Sequence, residues 1–347
     1  MSGLPEASGA PRTVALVGCG AWGTNHLRVW RDLRALRMVC DVDASRRAAV
    51  RTRYPDVETC SDVNEILDHP GIQAIVIATP AVTHVPLALK ALAAGKDVLV
   101  EKPMALTVSE GQRLVEAAQR RNRILMVGHV MEYHPVVQKL QALVREGILG
   151  RVRYIYAHRL NLGRVRVEES ALWNFAPHDI AIMLRLVGAM PEALACYGGA
   201  YVNSAVVDVT ITCLRFHRGI YGHIFVSWLH PFKEHRFVVV GDRQMAVFDD
   251  TRPGPEKLVL FPHQVDVLAN RRPVVQKAEG RPVDVEAVEP LRLECEHFLA
   301  CVLTRERPLT DGASGVNVLR VLEWSQDSLQ SGGSPKEFIG ESSGLLL

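Results

Sequence analysis

The run Thr13-Val14-Ala15-Leu16-Val17-Gly18-Cys19-Gly20-Ala21-Trp22-Gly23 leads an apolar segment into three glycines spaced G-x-G-x-x-G, and Leu27, Trp30 and Leu33 beyond it lie within an amphipathic stretch. A strand, a turn and a helix are predicted in that order. The three glycines differ in what they allow. Gly18 permits the tight turn, Gly20 lets backbone approach an anion, and Gly23 lets helix and strand pack closely. The helix start adds N–H groups and the positive end of a dipole, which suits a pyrophosphate. Ala21 and Trp22 belong to the same turn and count with it as binding residues.

Outward from the turn, Leu36 to Cys40 reads as a second strand ending at Asp41, 18 residues past Gly23. A carboxylate there accepts from a ribose 2′-OH and repels a 2′-phosphate, so the cofactor expected is NAD. Ala74 to Ala78 is apolar throughout, as in a central strand covered on both faces. The helix after it ends near Gly95, and strands at Val98–Val100 and Ile124–Val127 bracket a helix whose start, Thr107 to Glu110, has capping-box spacing. The alternation implies a doubly wound parallel sheet, a Rossmann α/β domain over residues 13–128.

Past Gly128 the texture changes. A helix is expected over Pro135–Glu146, stopped by Gly147, followed by long Val-, Ile-, Tyr- and Thr-rich runs. Val206–Phe216 and Ile220–Trp228 flank His217-Arg218-Gly219 as a hairpin would, and two helices are expected near Pro290–Thr304 and Ser314–Leu329. Residues 129–332 therefore read as an α+β domain with a largely antiparallel open sheet, with flexible tails at 1–12 and 333–347.

Bulk composition agrees with two globular domains: 347 residues, 48% hydrophobic and 22% charged. A formal net charge of +2 supplies no field for gripping nucleic acid. Seven cysteines without a C-x-x-C pair argue against a disulfide framework or a metal site and for a reducing compartment. No apolar run of about 18 residues and no signal-like N-terminus occur, so no membrane association is expected and the location expected is cytoplasmic.

The glycine turn, Ala78-Thr79-Pro80 with His84, Glu101-Lys102-Pro103 after a strand, and Pro177-His178-Asp179 opening a later helix resemble the Gfo/Idh/MocA oxidoreductase family over nearly the whole chain. In that family the lysine of the E-K-P triplet and a second-domain histidine flank the reacting carbinol. The resemblance makes Lys102 and His178 the catalytic pair and adds Thr79, Pro80, His84, Glu101 and His129 to the cofactor side. The chemistry is coherent, because oxidising an alcohol needs a base near neutral pH and a cation for the developing alkoxide. Where the family often has an aspartate four residues before the histidine, this chain has Asn174. With Asp179 it forms the expected support for His178.

Arg159, Asn161, Arg164, Arg166, Trp173, Trp228, His230, Lys233 and Arg236 lie in stretches similar to those of family members acting on UDP-N-acetylhexosamines. This resemblance implies a nucleotide-sugar substrate oxidised at C3, with the cations taking its diphosphate. It also implies a homodimer or homotetramer built on the antiparallel sheet. No tyrosine has a lysine four residues on, which excludes the short-chain dehydrogenase pattern, and no Walker A loop occurs. A dehydrogenase of free sugars or inositol-type polyols, an NAD-dependent glycoside hydrolase and a non-catalytic NAD sensor stay open as alternatives.

Overall fold

A computed structural model describes residues 13–163, 165–167, 169–267 and 272–338. The chain divides into two compact units, residues 1–129 with 290–319 and residues 130–289 with 320–347.

In the first unit, β1 (Val14–Val17), α1 (Gly23–Asp32), β2 (Leu36–Cys40), α2 (Ala44–Arg53), β3 (Glu58–Cys60), α3 (Val63–Leu67), β4 (Ala74–Ile77), α4 (His84–Ala93), β5 (Asp97–Glu101), α5 (Val108–Arg120) and β6 (Leu125–Gly128) follow one another. The six strands are parallel in the order β3-β2-β1-β4-β5-β6. Every residue of β1 and β4 is buried, as a parallel sheet covered on both faces requires. The order reverses between β1 and β4, and Val17 pairs with Ile77, so Gly18 and Ala78 leave the sheet side by side at the switch point where ligands bind in such folds. Short β3 and the helices α2 and α3 lack long apolar runs. Caps mark the two helices instead: Asp43 accepts from Ser45 and Arg46 N–H, and Asp62 from Asn64 N–H.

The second unit contains α6 (Pro135–Arg145), β7 (Val152–Leu162), α7 (Ala171–Val187), β8 (Ala193–Gly199), β9 (Val209–Arg215), β10 (Tyr221–Ser227), β11 (Leu229–Gly241), β12 (Met245–Asp249), β13 (Leu258–Phe261), β14 (Gln264–Val267), β15 (Pro273–Gln276) and β16 (Arg281–Pro282). The chain closes with α8 (Pro290–Thr304), α9 (Gly312–Gln330) and β17 (Lys336–Glu337). Nine strands form one sheet, β16-β13-β12-β11-β7-β10-β9-β8-β17, antiparallel except for the β7–β10 pair, and β14–β15 is a separate hairpin. The expected hairpin is real, with Tyr221 opposite Arg215 and Ser227 opposite Val209, although its first strand begins at Val209 rather than Val206. Ile155, Ala157, Ile224 and Val226 on one face of the sheet are buried, while Tyr197, Ile211 and Tyr221 on the other are exposed. Among the described residues no helix is long and apolar enough to cross a membrane.

Three expectations are corrected. Pro177-His178-Asp179 does not open a helix: α7 starts six residues earlier, where Ser170 caps Trp173 N–H, and Pro177 lies inside it. A proline there gives up one intrahelical donor, and its fixed φ resembles a helix start. Residues 290–319, expected in the second domain, belong to the first unit. Phe298 of α8 packs edge-on against Trp30 at 6.1 Å, Arg305 grips Asp97 with both terminal nitrogens, and Thr310 Oγ1 donates to the Val127 carbonyl. The expected tail from 333 is partly ordered, since Lys336 pairs with Leu194 and Phe338 lies on Trp324. Residues 1–12 and 339–347 lie outside the described residues.

Candidate active site

The glycine turn is built as its spacing predicts. Gly18 has φ +92°, and a Cβ there would stand 2.8 Å from Ala78 O. At Gly23 a Cβ would come within 2.1 Å of Gly18 O, so helix and strand touch at that point. Gly20 differs: a Cβ would meet only an Arg46 nitrogen, at 3.7 Å. Two glycines thus serve internal packing, and the third keeps an open approach to the start of α1, the place for a diphosphate.

Asp41 is buried and held from both sides. Its Oδ2 accepts from Cys19 N–H at 2.7 Å and its Oδ1 from Asp43 N–H at 2.9 Å, which aims the carboxylate along the turn. Arg46, half exposed, reaches to 3.5 Å from Oδ2. The turn, its open Gly20 side and this carboxylate fit the two ends of an adenosine diphosphate.

Thr79 and Pro80 follow β4, with Pro80 exposed and Thr79 Oγ1 bonded to Thr83 Oγ1 at 2.7 Å. His84 is expected to touch cofactor, but the structure buries it. Its Nδ1 and Nε2 each lie 2.8 Å from a carbonyl oxygen, of Pro103 and Thr79 respectively. His84 clips the Thr-Pro turn to the Glu-Lys-Pro turn.

Glu101 and Lys102 end β5. Glu101 Oε1 accepts from Trp22 Nε1 at 2.5 Å and lies 2.7 Å from His26 Nε2, and Oε2 accepts from Lys102 N–H at 3.2 Å. Burial opposes the charge on this carboxyl, yet the bonds from His26 and Trp22 and the nearby Lys102 outweigh it and hold the group below the ordinary glutamate range. Trp22 keeps 42% of its surface exposed beside the turn. His26 and Glu294 do not stand out in the sequence. The only signal they carry is that of an ionisable residue on an apolar helix face: His26 among Leu27, Val29 and Trp30, and Glu294 among Leu291, Cys295 and Phe298. With Glu101 they present ligand atoms within 4.8 Å of one another. The His26–Glu101 separation is that of a direct hydrogen bond, shorter than the edge of about 3.3 Å between ligands of a tetrahedral zinc. His129, at the end of this unit, is 2% exposed.

In the second unit His178 is half-buried in the second turn of α7. Asn174, one turn earlier, donates to Glu169 Oε2 at 2.6 Å, so a carboxylate stands behind the amide that replaces the family's aspartate. Asp179 does not serve His178. It is buried and takes a two-pronged bond from Arg159, Nε to Oδ2 at 3.0 Å and a terminal nitrogen to Oδ1 at 2.8 Å. Burial disfavours the Arg159 charge, but Asp179 more than offsets this and strengthens its hold on the proton. Two residues expected in different roles therefore occupy each other.

The expected substrate residues separate by burial. Trp228 is 0% exposed, its indole donates to Asp208, and it packs against Phe175, so it anchors the core rather than touching solute. Arg236 is tied to Asp249 at 3.1 Å and Glu234 at 3.3 Å. Arg166 and Lys233 are exposed, and Arg166 stands 3.9 Å from Glu169. Trp173 is half-buried, and His230 turns Nδ1 toward Phe232 O at 3.0 Å. Among the described residues Asn161 Oδ1, though buried, has no hydrogen-bond partner. Arg164 lies outside the described residues.

Comparison with known proteins places this geometry. A family model described as an oxidoreductase family with an NAD-binding Rossmann fold matches residues 12–129, and the Gfo/Idh/MocA C-terminal domain matches 137–247. UDP-N-acetylglucosamine 3-dehydrogenase of Acidithiobacillus ferrooxidans is 27% identical over 88% of this chain and 93% of its own. A solved structure of that enzyme superposes with a TM-score of 0.79 at 24% identity, covering 92% of this chain and 98% of its own, a likeness of fold. D-apiose dehydrogenase of Paraburkholderia graminis is 26% identical over 92% of this chain and 88% of its own. The scyllo-inositol 2-dehydrogenase (NAD(+)) of Bacillus subtilis is 24% identical over 88% and 90%.

Proposed function

Since this chain belongs to the Gfo/Idh/MocA family of NAD-binding oxidoreductases, as a dehydrogenase acting on a CH–OH group, we propose that it oxidises the C3 hydroxyl of a UDP-N-acetylhexosamine, UDP-GlcNAc or its uronate, to the 3-keto sugar. The observation that carries the reading is the match, over 93% of its length, to a relative named for that reaction. The product would feed amino-sugar synthesis, because a 3-ketone is what an aminating enzyme requires.

The start of α1, Gly20 and Asp41 would hold the diphosphate and ribose of NAD, with Thr79, Pro80 and Trp22 nearer its reactive end. When bound, NAD supplies the hydride acceptor. The chain supplies the rest: His178 takes the hydroxyl proton, and Lys102 donates a hydrogen bond to the same oxygen and stabilises its developing charge. Asn174, tied to Glu169, steadies the helical turn that carries His178. With Arg159 and Arg236 engaged by acids, the substrate's diphosphate falls to Arg164, Arg166 and Lys233.

The test is a panel of UDP-sugars, free sugars and inositols incubated with NAD and followed at the NADH absorbance band. Turnover of UDP-N-acetylhexosamines, with a primary isotope effect from C3 deuterium, supports the reading. Turnover of apiose or an inositol with inert UDP-sugars replaces it, a result the equally extensive matches to those dehydrogenases make meaningful. The exposed sheet face with Tyr197, Ile211 and Tyr221 would pair copies of the chain as a homodimer or tetramer, and light scattering at micromolar concentration checks this.

A further inference from the structure

Two carboxylates and an imidazole are buried in the first unit, next to Lys102. His26 and Glu294 have no exposed surface and Glu101 has 6%. Ionisable groups are seldom buried so deep unless they are paired, because burial penalises every charged form. Their arrangement is directional. Trp22 and His26 both address Glu101 Oε1, leaving Oε2 to the N–H of Lys102, so the carboxylate is fixed about its own axis. Room for it is made by Gly128, opposite Glu101 on β6, where a Cβ would stand 2.9 Å from the carboxyl carbon. The other ring nitrogen of His26 faces Cys295 Sγ at 4.0 Å, and Glu294 comes from the same helix as that cysteine. Thus Glu101 is met by Trp22 and His26 from the α1 side, by Lys102 from its own strand end and by Glu294 from α8.

We propose that His26 and Glu294 are positioning residues for the reaction at Lys102: they hold Glu101 as an oriented carboxylate beside the lysine and share the proton that balances the buried charge. The proposal rests on Lys102 acting at the oxygen of the reacting alcohol. Glu101, Glu294 and His26 present their ligand atoms within 4.8 Å of one another, and two carboxylates this close in a buried pocket cannot both be charged without a compensating proton. An anionic Glu101 favours the ammonium form of Lys102, the form that donates to an alkoxide. Removing the His26 donor leaves burial unopposed, shifts Glu101 toward its neutral acid and deprives Lys102 of its counter-charge.

The experiment reads Lys102 directly in the full-length protein. Lysines are reductively ¹³C-methylated, the Lys102 signal is assigned by its loss in Lys102→Arg, and its titration is followed by NMR without substrate. His26→Ala should lower the Lys102 midpoint by about one pH unit. His26→Gln, whose amide can still donate to Glu101, should restore most of it, and Glu294→Gln should reduce a broadened curve to a single-group one. With substrate, His26→Ala should lower kcat roughly 10–100-fold while changing the Kd for NAD by less than about threefold. An unmoved Lys102 midpoint in both folded His26 variants overturns the proposal. So does a fall in thermal stability with an unaltered midpoint, the mark of a merely structural role. If the midpoint moves as expected and the wild type oxidises no alcohol, the positioning stands and the functional reading falls.

Discussion

The two units position their candidate site residues by different means. In the first, backbone supplies most of the geometry: a left-handed glycine, a glycine with an open side, a helix start and the ends of β1, β2, β4 and β5 bring Gly20, Asp41, Thr79 and Lys102 to the carboxyl ends of the strands. In the second, side-chain pairings between elements, Arg159 of β7 with Asp179 of α7 and Arg236 of β11 with Asp249 of β12, decide which candidate cations are left available. A backbone-made site is spelled locally by glycines and strand ends. A side-chain site depends on register and on which charges are already engaged, so its cations divide into structural and available ones only once the fold is known.

The largest effect should come at the two residues proposed as the catalytic pair. Lys102→Ala and His178→Ala should each lower turnover roughly 10²–10⁴-fold and leave NAD binding nearly intact. Under the proposed function both act on one oxygen, and the double variant should then lose far less than the product of the single losses. Multiplicative losses in stopped-flow single turnover would assign them to separate steps.

The next test strikes the second unit. Arg159→Met strands a buried Asp179 and should destabilise the protein by about 3–5 kcal/mol in urea unfolding, whereas Arg159→Met with Asp179→Leu should recover most of that. Normal stability of the single variant, with weakened substrate binding, would return Arg159 to the substrate. In the first unit, Gly23→Ala should cost folding itself. Gly20→Ala should keep the melting temperature and weaken NAD by roughly tenfold, since its Cβ enters only the open side. Equal effects at the two glycines would erase the distinction between packing and ligand glycines.

The smallest effect is a pH dependence. Burial, with Arg159 and Lys233 nearby, pushes His235 down to about 4 from an ordinary 6.5. The native state therefore prefers the neutral ring. Its contribution to stability is complete above pH 6.5 and is lost as pH falls toward about 4. Thermal melts between pH 7.5 and 4.5 should show an acid-side decline that His235→Phe flattens.

Legibility follows the same division. The strands Leu36–Cys40 and Ala74–Ile77, the glycine turn and Asp41 are readable because apolar runs and glycines act within a few residues. The start of α7 is hidden because Pro177 imitates a helix start, whereas the actual cap, Ser170, is an ordinary residue in a polar stretch. Trp228 reads as a substrate-facing aromatic since nothing nearby in sequence reveals Asp208 as its partner. His26 and Glu294 escape notice because each is a single polar residue on an apolar helix face, and their meeting joins segments 268 positions apart.

The return of residues 290–319 to the first unit has a consequence in time. A chain emerging from the ribosome completes all six parallel strands by Gly128, but Trp30 has no Phe298 and Asp97 no Arg305 until α8 and the turn after it have been made. During that interval, about half the chain's length, the nascent sheet bears an uncovered apolar flank. The second unit is synthesised meanwhile, so the unit begun first is finished late, and shortening the chain at its C-terminal end should damage the nucleotide-binding unit at its N-terminal end.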